Sequence, residues 1–187
     1  MGVIPVPFAA LSRYYPRRDK KDPDLYQYVD QEMRGLPGTP CCVQMSHCLN
    51  MAGIKIPAYS YRPRSNAKLT IDGIDYYYIL ATDELEQFLI SSCGDDGESI
   101  NMDLDNTRSI NEIKTYISNR PGLLLFRYSN IGVCAPTGQF EHTELWNGTN
   151  ILQRDMNEPF LFGRPRVQMW DTNDPARWLV DYMNTQP

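Results

Sequence analysis

Histidine is scarce in this chain: 187 residues contain only two, His47 and His142. Any imidazole chemistry must therefore use one of two places. Positive charge is also in short supply, with 18 lysines and arginines against 23 acids and a net charge of −5. That balance leaves no electrostatic footprint for nucleic acid. The one basic run, Arg17-Arg18-Asp19-Lys20-Lys21, is broken by an acid and followed by Asp22 and Asp24, and reads as a solvated surface segment. No apolar stretch is long enough to span a membrane, so membrane insertion is not expected. The apolar Val3 to Leu11 stretch contains Pro5 and Pro7 and has no basic start, so a Sec-type export signal is not expected. Val6 stands where a myristoylation signal needs Ser or Thr, so that modification is not expected either.

Cysteine is too sparse and too odd in number, at five, for a disulfide scaffold. Cys93 and Cys134 are a conceivable pair, which the sequence leaves undecided. Cys41, Cys42, His47 and Cys48 cluster, but without a Cys-x-x-Cys knuckle or a second ligand pair at a familiar spacing, so neither zinc nor any other cofactor is expected. Internal repeats and low-complexity segments are absent. What remains is an ordinary globular composition, 42% hydrophobic and 22% charged. A chain of this length is expected to form one domain over residues 1–187 with a single core.

Periodicity places a short helix over Pro7 to Tyr15 and another over Asp24 to Arg34. Gly35-Leu36-Pro37-Gly38-Thr39-Pro40 breaks regular structure, and a helix opening at Cys41 follows, closed by Gly53 as its C-cap. Ile54 to Arg64 reads as extended and irregular, and Ile74 to Leu80 as a strand. Thr82 is expected to cap a helix from Asp83 to Ile90, and Ser91 to Asn106 to form a loop. Ser109 and Glu112 have capping-box spacing before a further helix. Leu123 to Tyr128 reads as a central strand. Asn147-Gly148 is a hairpin turn between a strand at Phe140 to Trp146 and a return over Thr149 to Gln153. A last strand near Val167 to Trp170 and a terminal helix complete an α+β order, helices first and then an antiparallel sheet.

A thiol in the first turn of a helix meets unsatisfied backbone N–H groups and the positive end of the helix dipole, both of which favour thiolate. A strand-borne imidazole packed there would complete an ion pair able to attack an amide and protonate the leaving amine. By position alone, the plainer reading has the edge: Cys41 as a core-facing thiol and His142 as the polar start of a strand. Cys48 lies too far into the helix for the dipole and groups with the core. His47 is six positions from Cys41, on another face, and is expected to be exposed or structurally hydrogen-bonded. Tyr76 to Tyr78 and Trp146 are expected to serve packing rather than to line a groove. With Asn147-Gly148 as a two-residue turn, His142 would face Gln153, and Glu144 would face Ile151. Gln153 could then hold the His142 ring, as could Asp155 if the hairpin is longer by a bulge. Glu144, two positions along, would reach the ring less directly.

Cys41-x-x-x-Met45-Ser46, followed by Leu49-Asn50 and a glycine, resembles the nucleophile motif of the family 4 type VI secretion amidase effectors. His142-x-x-Leu145-Trp146-Asn147-Gly148 resembles that family's histidine motif, and the resemblance extends over about residues 38 to 155. It puts Cys41, not Cys42, at the nucleophile position. Two departures stand out: Cys42 replaces a proline, and Gln153 stands where the family usually has an aspartate. The resemblance implies a papain-like NlpC/P60 fold, with the nucleophile helix packed on the sheet. It implies a cysteine amidase that cuts peptidoglycan stem peptides between γ-D-glutamate and meso-diaminopimelate. It further implies delivery by a type VI secretion apparatus into a rival's periplasm, and a periplasmic immunity protein as partner. Cys41 would be the nucleophile, His142 the general acid and base, and Gln153 or Asp155 the residue fixing the ring. Two other functions fit the same residues: a catalytically silent wall-peptide or protein-binding module, and a thiol hydrolase acting on protein amides.

Overall fold

Four consecutive apolar residues, Leu123 to Phe126, are buried on both faces of one strand, and the rest of the sheet is organised around it. A computed structural model describes residues 2–16, 40–58, 67–93, 98–101, 109–128, 141–153, 158–164 and 166–172. Along the chain lie β1 (Val3–Ile4), α1 (Phe8–Tyr14), α2 (Pro40–Met51), β2 (Ala67–Ile71), β3 (Ile74–Tyr78) and α3 (Thr82–Cys93). They are followed by β4 (Glu98–Asn101), α4 (Ile110–Tyr116), β5 (Pro121–Arg127), β6 (His142–Asn147), α5 (Glu158–Phe162) and β7 (Arg166–Thr172). The helix expected over Asp24 to Arg34 and the terminal helix lie outside the described residues.

The main sheet runs β1-β7-β5-β6, with β4 also paired to β7. Its pairs are antiparallel except β1 with β7, which is parallel. β2 and β3 form a separate hairpin through Asp72 and Gly73, both at positive φ. β5 and β7 approach so closely at Gly122 that a Cβ there would lie 2.4 Å from the Trp170 carbonyl oxygen, so only glycine fits.

Side-chain alternation divides the sheet between two cores. Leu123, Leu125, Leu145 and Trp170 join residues of α1, α2 and α3 in one. Leu124, Phe126, Trp146, Val167 and Met169 join Ile113 and Ile117 with Leu161 and Phe162 in the other. Trp146 is a core residue whose indole N–H donates to the Ile117 carbonyl at 3.0 Å, in keeping with a packing role.

Three helix signals act as their chemistry dictates. Gly53, at φ 99°, ends α2 in a Schellman arrangement: its N–H donates to Asn50 and that of Ile54 to Leu49. Ser109 and Glu112 form a complete capping box ahead of α4. Pro40 occupies the first helical position of α2, where its missing N–H costs nothing.

Other expectations are corrected. Thr82 is the first residue of α3 rather than its cap, and its hydroxyl donates to Glu141. The stretch expected as a loop after Ser91 contains the last turn of α3 and the strand β4, whose hydrogen-bond partner, β7, is remote in sequence.

The hairpin after β6 is offset by two residues from the expected pairing. Trp146 pairs with Ile151, and the Leu152 N–H donates to the Leu145 carbonyl at 2.8 Å. Asn147 explains the offset, because its side-chain oxygen accepts the N–H groups of Thr149 and Asn150 at 2.9 and 2.8 Å. The turn tip therefore moves to Gly148, at φ 92°, and Thr149. A shift of two preserves which face each residue takes but changes its partner. Gln153 thus falls opposite Glu144 instead of His142, and the return segment makes one isolated bridge instead of a full strand.

Candidate active site

The Cys41 helix is held in place by its own polar residues. Ser46 Oγ accepts the Ile79 N–H at 2.9 Å, and His47 Nδ1 lies 3.0 Å from the Tyr78 hydroxyl. Asn50 donates to the Tyr77 carbonyl at 2.8 Å and accepts the Ile56 N–H at 3.0 Å. These contacts lock α2 along β3 and its continuation, and they account for the Ser46 and Asn50 of the sequence motif. On the other flank, the Cys48 thiol donates to the Leu11 carbonyl at 3.1 Å, tying α1 to α2. No disulfide joins Cys41, Cys42, Cys48 or Cys93 among the described residues, and Cys134 lies outside them.

α2 thereby presents its first turn to the start of β6. Cys41 and His142, remote in sequence, are brought into contact there, with 6% and 4% of their surfaces exposed. The Cys41 pKa is held well below that of an ordinary thiol. The hydrogen bond from Cys42 contributes most, burial opposes it, and the charge and hydrogen bond of His142 and the Thr143 N–H assist. For His142, burial disfavours the charged ring, but Cys41 and then Glu144 outweigh it and raise the pKa to about 9. Opposite shifts of this kind describe a thiolate–imidazolium pair. His47, in contrast, is pushed down to about 4 by burial alone, and it is the neutral, structural histidine.

The surroundings of His142 contain two residues whose part the sequence reading did not foresee. Glu144, fully buried, places Oε2 3.6 Å from His142 Nε2. Residues two apart on a strand share a face, so the spacing that made Glu144 seem remote is what brings it alongside. Tyr15, the C-cap of α1 and fully buried, turns its phenol toward the same carboxylate, and its pKa is raised first by burial and then by Glu144. Its position four residues after the buried Leu11 was the available signal, one masked by the apolar Phe8–Leu11–Tyr14 series. Phe126, directly across from His142 on β5, stacks on the imidazole with centroids 6.4 Å apart. Gln153 is buried, and its Oε1 has no hydrogen-bond partner among the described residues. Asp155 lies outside the described residues. No group of three or more potential metal ligands occurs among the described residues.

The fold and the site together define a mixed α+β protein with a thiol and an imidazole paired where a helix start meets a sheet edge. The sequence model for type VI secretion system (T6SS), amidase effector protein 4, matches residues 39–179, and the chain belongs to that family. It is similar in structure to the type VI effector Tae4 from Enterobacter cloacae, at 16% identity and a TM-score of 0.62, over 92% of this chain and all of that one. The effector of the Enterobacter cloacae Tae4–Tai4 effector–immunity complex matches at 15% identity and a TM-score of 0.63, over 91% of this chain and 100% of that one. The Tae4/Tai4 effector–immunity system from Salmonella typhimurium matches at 17% identity and a TM-score of 0.58, over 90% and 99% of the two chains. No curated protein matches the sequence.

Proposed function

We propose that this T6SS amidase effector is a cysteine amidase of papain-like NlpC/P60 type that cleaves peptidoglycan stem peptides. The observation that carries this reading is the contact between Cys41, in the first turn of α2, and His142 on β6, with their proton affinities shifted in opposite directions. The proposed bond is the amide between γ-D-glutamate and meso-diaminopimelate. Cys41 thiolate attacks its carbonyl carbon, and backbone N–H groups at the helix start stabilise the oxyanion. His142 donates its proton to the departing diaminopimelate amine, leaving a γ-glutamyl thioester on Cys41. The neutral ring then takes a proton from water, and the hydroxide released onto the thioester restores the thiolate and frees the carboxylate. Gln153 and Asp155 are the positions at which the family pattern would put the partner that orients the ring.

The same reading assigns the chain to delivery by the type VI apparatus into the periplasm of a rival cell. Its partners are then the stem peptides, the secretion apparatus and a cognate immunity protein. The effector–immunity complexes of structurally similar proteins support the last of these.

Replacing Cys41 with alanine should abolish release of new amino groups from purified peptidoglycan, with the far-UV circular dichroism unchanged. Unchanged release would remove Cys41 from the mechanism. Mass analysis of the digested muropeptides identifies the cleaved bond. Near-complete burial of Cys41 and His142 favours one competing reading, a silent binding module of the same fold. In that case wild-type protein would bind stem peptides without releasing amines.

A further inference from the structure

The family pattern directs attention to the segment after the hairpin for the residue that holds the histidine ring, but the described contacts lie elsewhere. Gln153 carries no charge and falls opposite Glu144, two residues from the histidine's own row. Glu144 shares both strand and face with His142, and its Oε2 is 3.6 Å from Nε2. Its other oxygen accepts the Leu145 N–H at 2.8 Å, which fixes the carboxylate with one oxygen turned to the ring. Tyr15 approaches the same carboxylate from α1. The face of the imidazole is covered by Phe126, which limits how the ring can turn. With Nε2 facing Glu144, Nδ1 is the nitrogen left for the Cys41 sulfur. A fully buried carboxylate is costly unless a positive group stands beside it, and among the described residues the His142 ring is placed to do so.

We propose that Glu144, held by the Leu145 N–H, is the positioning residue that orients His142 toward Cys41, in place of Gln153 or Asp155. This rests on the amidase reading for its kinetic consequence but not for its structural one. Among the described residues, the groups that face the pair are Cys42 from α2, Tyr15 from α1, and Glu144 and the Thr143 N–H from β6.

Because the chain has two histidines, proton NMR of their ring Cε1–H signals follows His142 directly, and His47→Gln assigns the pair. Glu144→Gln should lower the His142 titration midpoint by about one pH unit or more. Glu144→Asp keeps the charge but withdraws it from the ring, and should give an intermediate midpoint. On peptidoglycan fragments, Glu144→Gln should reduce kcat on the order of a hundredfold with KM little changed. It should also move the basic limb of the pH–rate profile in step with the NMR midpoint. A wild-type midpoint in both Glu144 variants, or a midpoint moved by Gln153→Ala instead, overturns the assignment. If Glu144→Gln does not fold, the Glu144→Asp midpoint decides alone: a fall supports the assignment and no change refutes it. If the wild-type chain cleaves no peptidoglycan, the amidase reading fails while the titration still judges Glu144.

Discussion

Glu141 and Glu144 are three residues apart, both buried, and belong to two different kinds of charge cluster. Glu141 faces a saturated network. Its Oε1 accepts from Arg127 at 2.9 Å and from the Tyr128 N–H at 3.1 Å, while its Oε2 accepts the Thr82 hydroxyl. Arg127 also pairs with Glu86 at 2.7 Å, and Glu86 with Arg166, which donates to Gln168 at 2.8 Å. These contacts tie α3 to β5, β7 and the entry to β6. Glu144 accepts one short bond, from the Leu145 N–H at 2.8 Å, and its other contacts are looser: 3.6 Å to His142, with an electrostatic approach by Tyr15 rather than a short hydrogen bond. Tight, multiply bonded charges specify a structure. Around Glu144 the proton affinities of Cys41, His142 and Tyr15 are displaced, as the proposed cleavage would require of the first two.

The comparison breaks most readily at Arg127. Arg127→Met leaves Glu86 and Glu141 facing each other without their shared cation, and should cost about 3–5 kcal/mol. Thermal denaturation should register this as a fall in Tm of roughly 10 °C. Cys41→Ala should leave Tm within about 2 °C of wild type, the difference expected if one cluster supports the fold and the other the reaction. Were Arg127→Met to lose activity per folded molecule as steeply as Cys41→Ala, the two clusters would be one unit.

His47 sharpens the contrast from a third position. Its folded pKa of about 4 lies below the usual 6.5, so the unfolded chain takes up the proton first. Stability attributable to His47 is therefore complete above pH 6.5 and declines as pH falls toward 4, by about 3 kcal/mol in all. Urea unfolding across this range, wild type against His47→Gln, isolates that part, and parallel curves would contradict it. The smallest effect is expected at Ser109, where alanine removes one cap and should cost about 1 kcal/mol without altering peptide cleavage.

The legible parts of the fold were those whose cause is local. Gly53 and the Ser109–Glu112 pair act within a few residues of themselves, and both are visible in a one-dimensional reading. The apolar Leu123–Phe126 run identified a central strand for the same reason. β4 was illegible because Glu98 to Asn101 has no apolar alternation, and β7 supplies its hydrogen bonds from far along the chain. Thr82 was read as a cap because nothing in its neighbourhood reveals Glu141, which meets it across the fold.

The site divides along the same line. Cys41 at a helix start and His142 on a strand could be picked out by residue type and by their likeness to a family pattern. Glu144 was given a lesser part because it stands two positions along from His142, and Gln153 a larger one because the pairing of the hairpin was counted from Asn147-Gly148 as a two-residue turn. The Asn147 side chain, which accepts two backbone N–H groups, shifted that count. Tyr15 entered from the opposite end of the chain, carried by the tie between α1 and α2.

By itself the sequence picked out Cys41 and His142, the helix that opens at the thiol, and the elements with local causes such as the Gly53 end of α2, the Ser109 capping box and the Leu123–Phe126 strand, since these depend on residue type, caps and short-range periodicity. Tertiary structure decided which carboxylate faces the imidazole, which charges are saturated, and how far each proton affinity moves. Those depend on burial and on distances of a few ångströms between remote segments, where desolvation makes each charge sensitive to the one beside it.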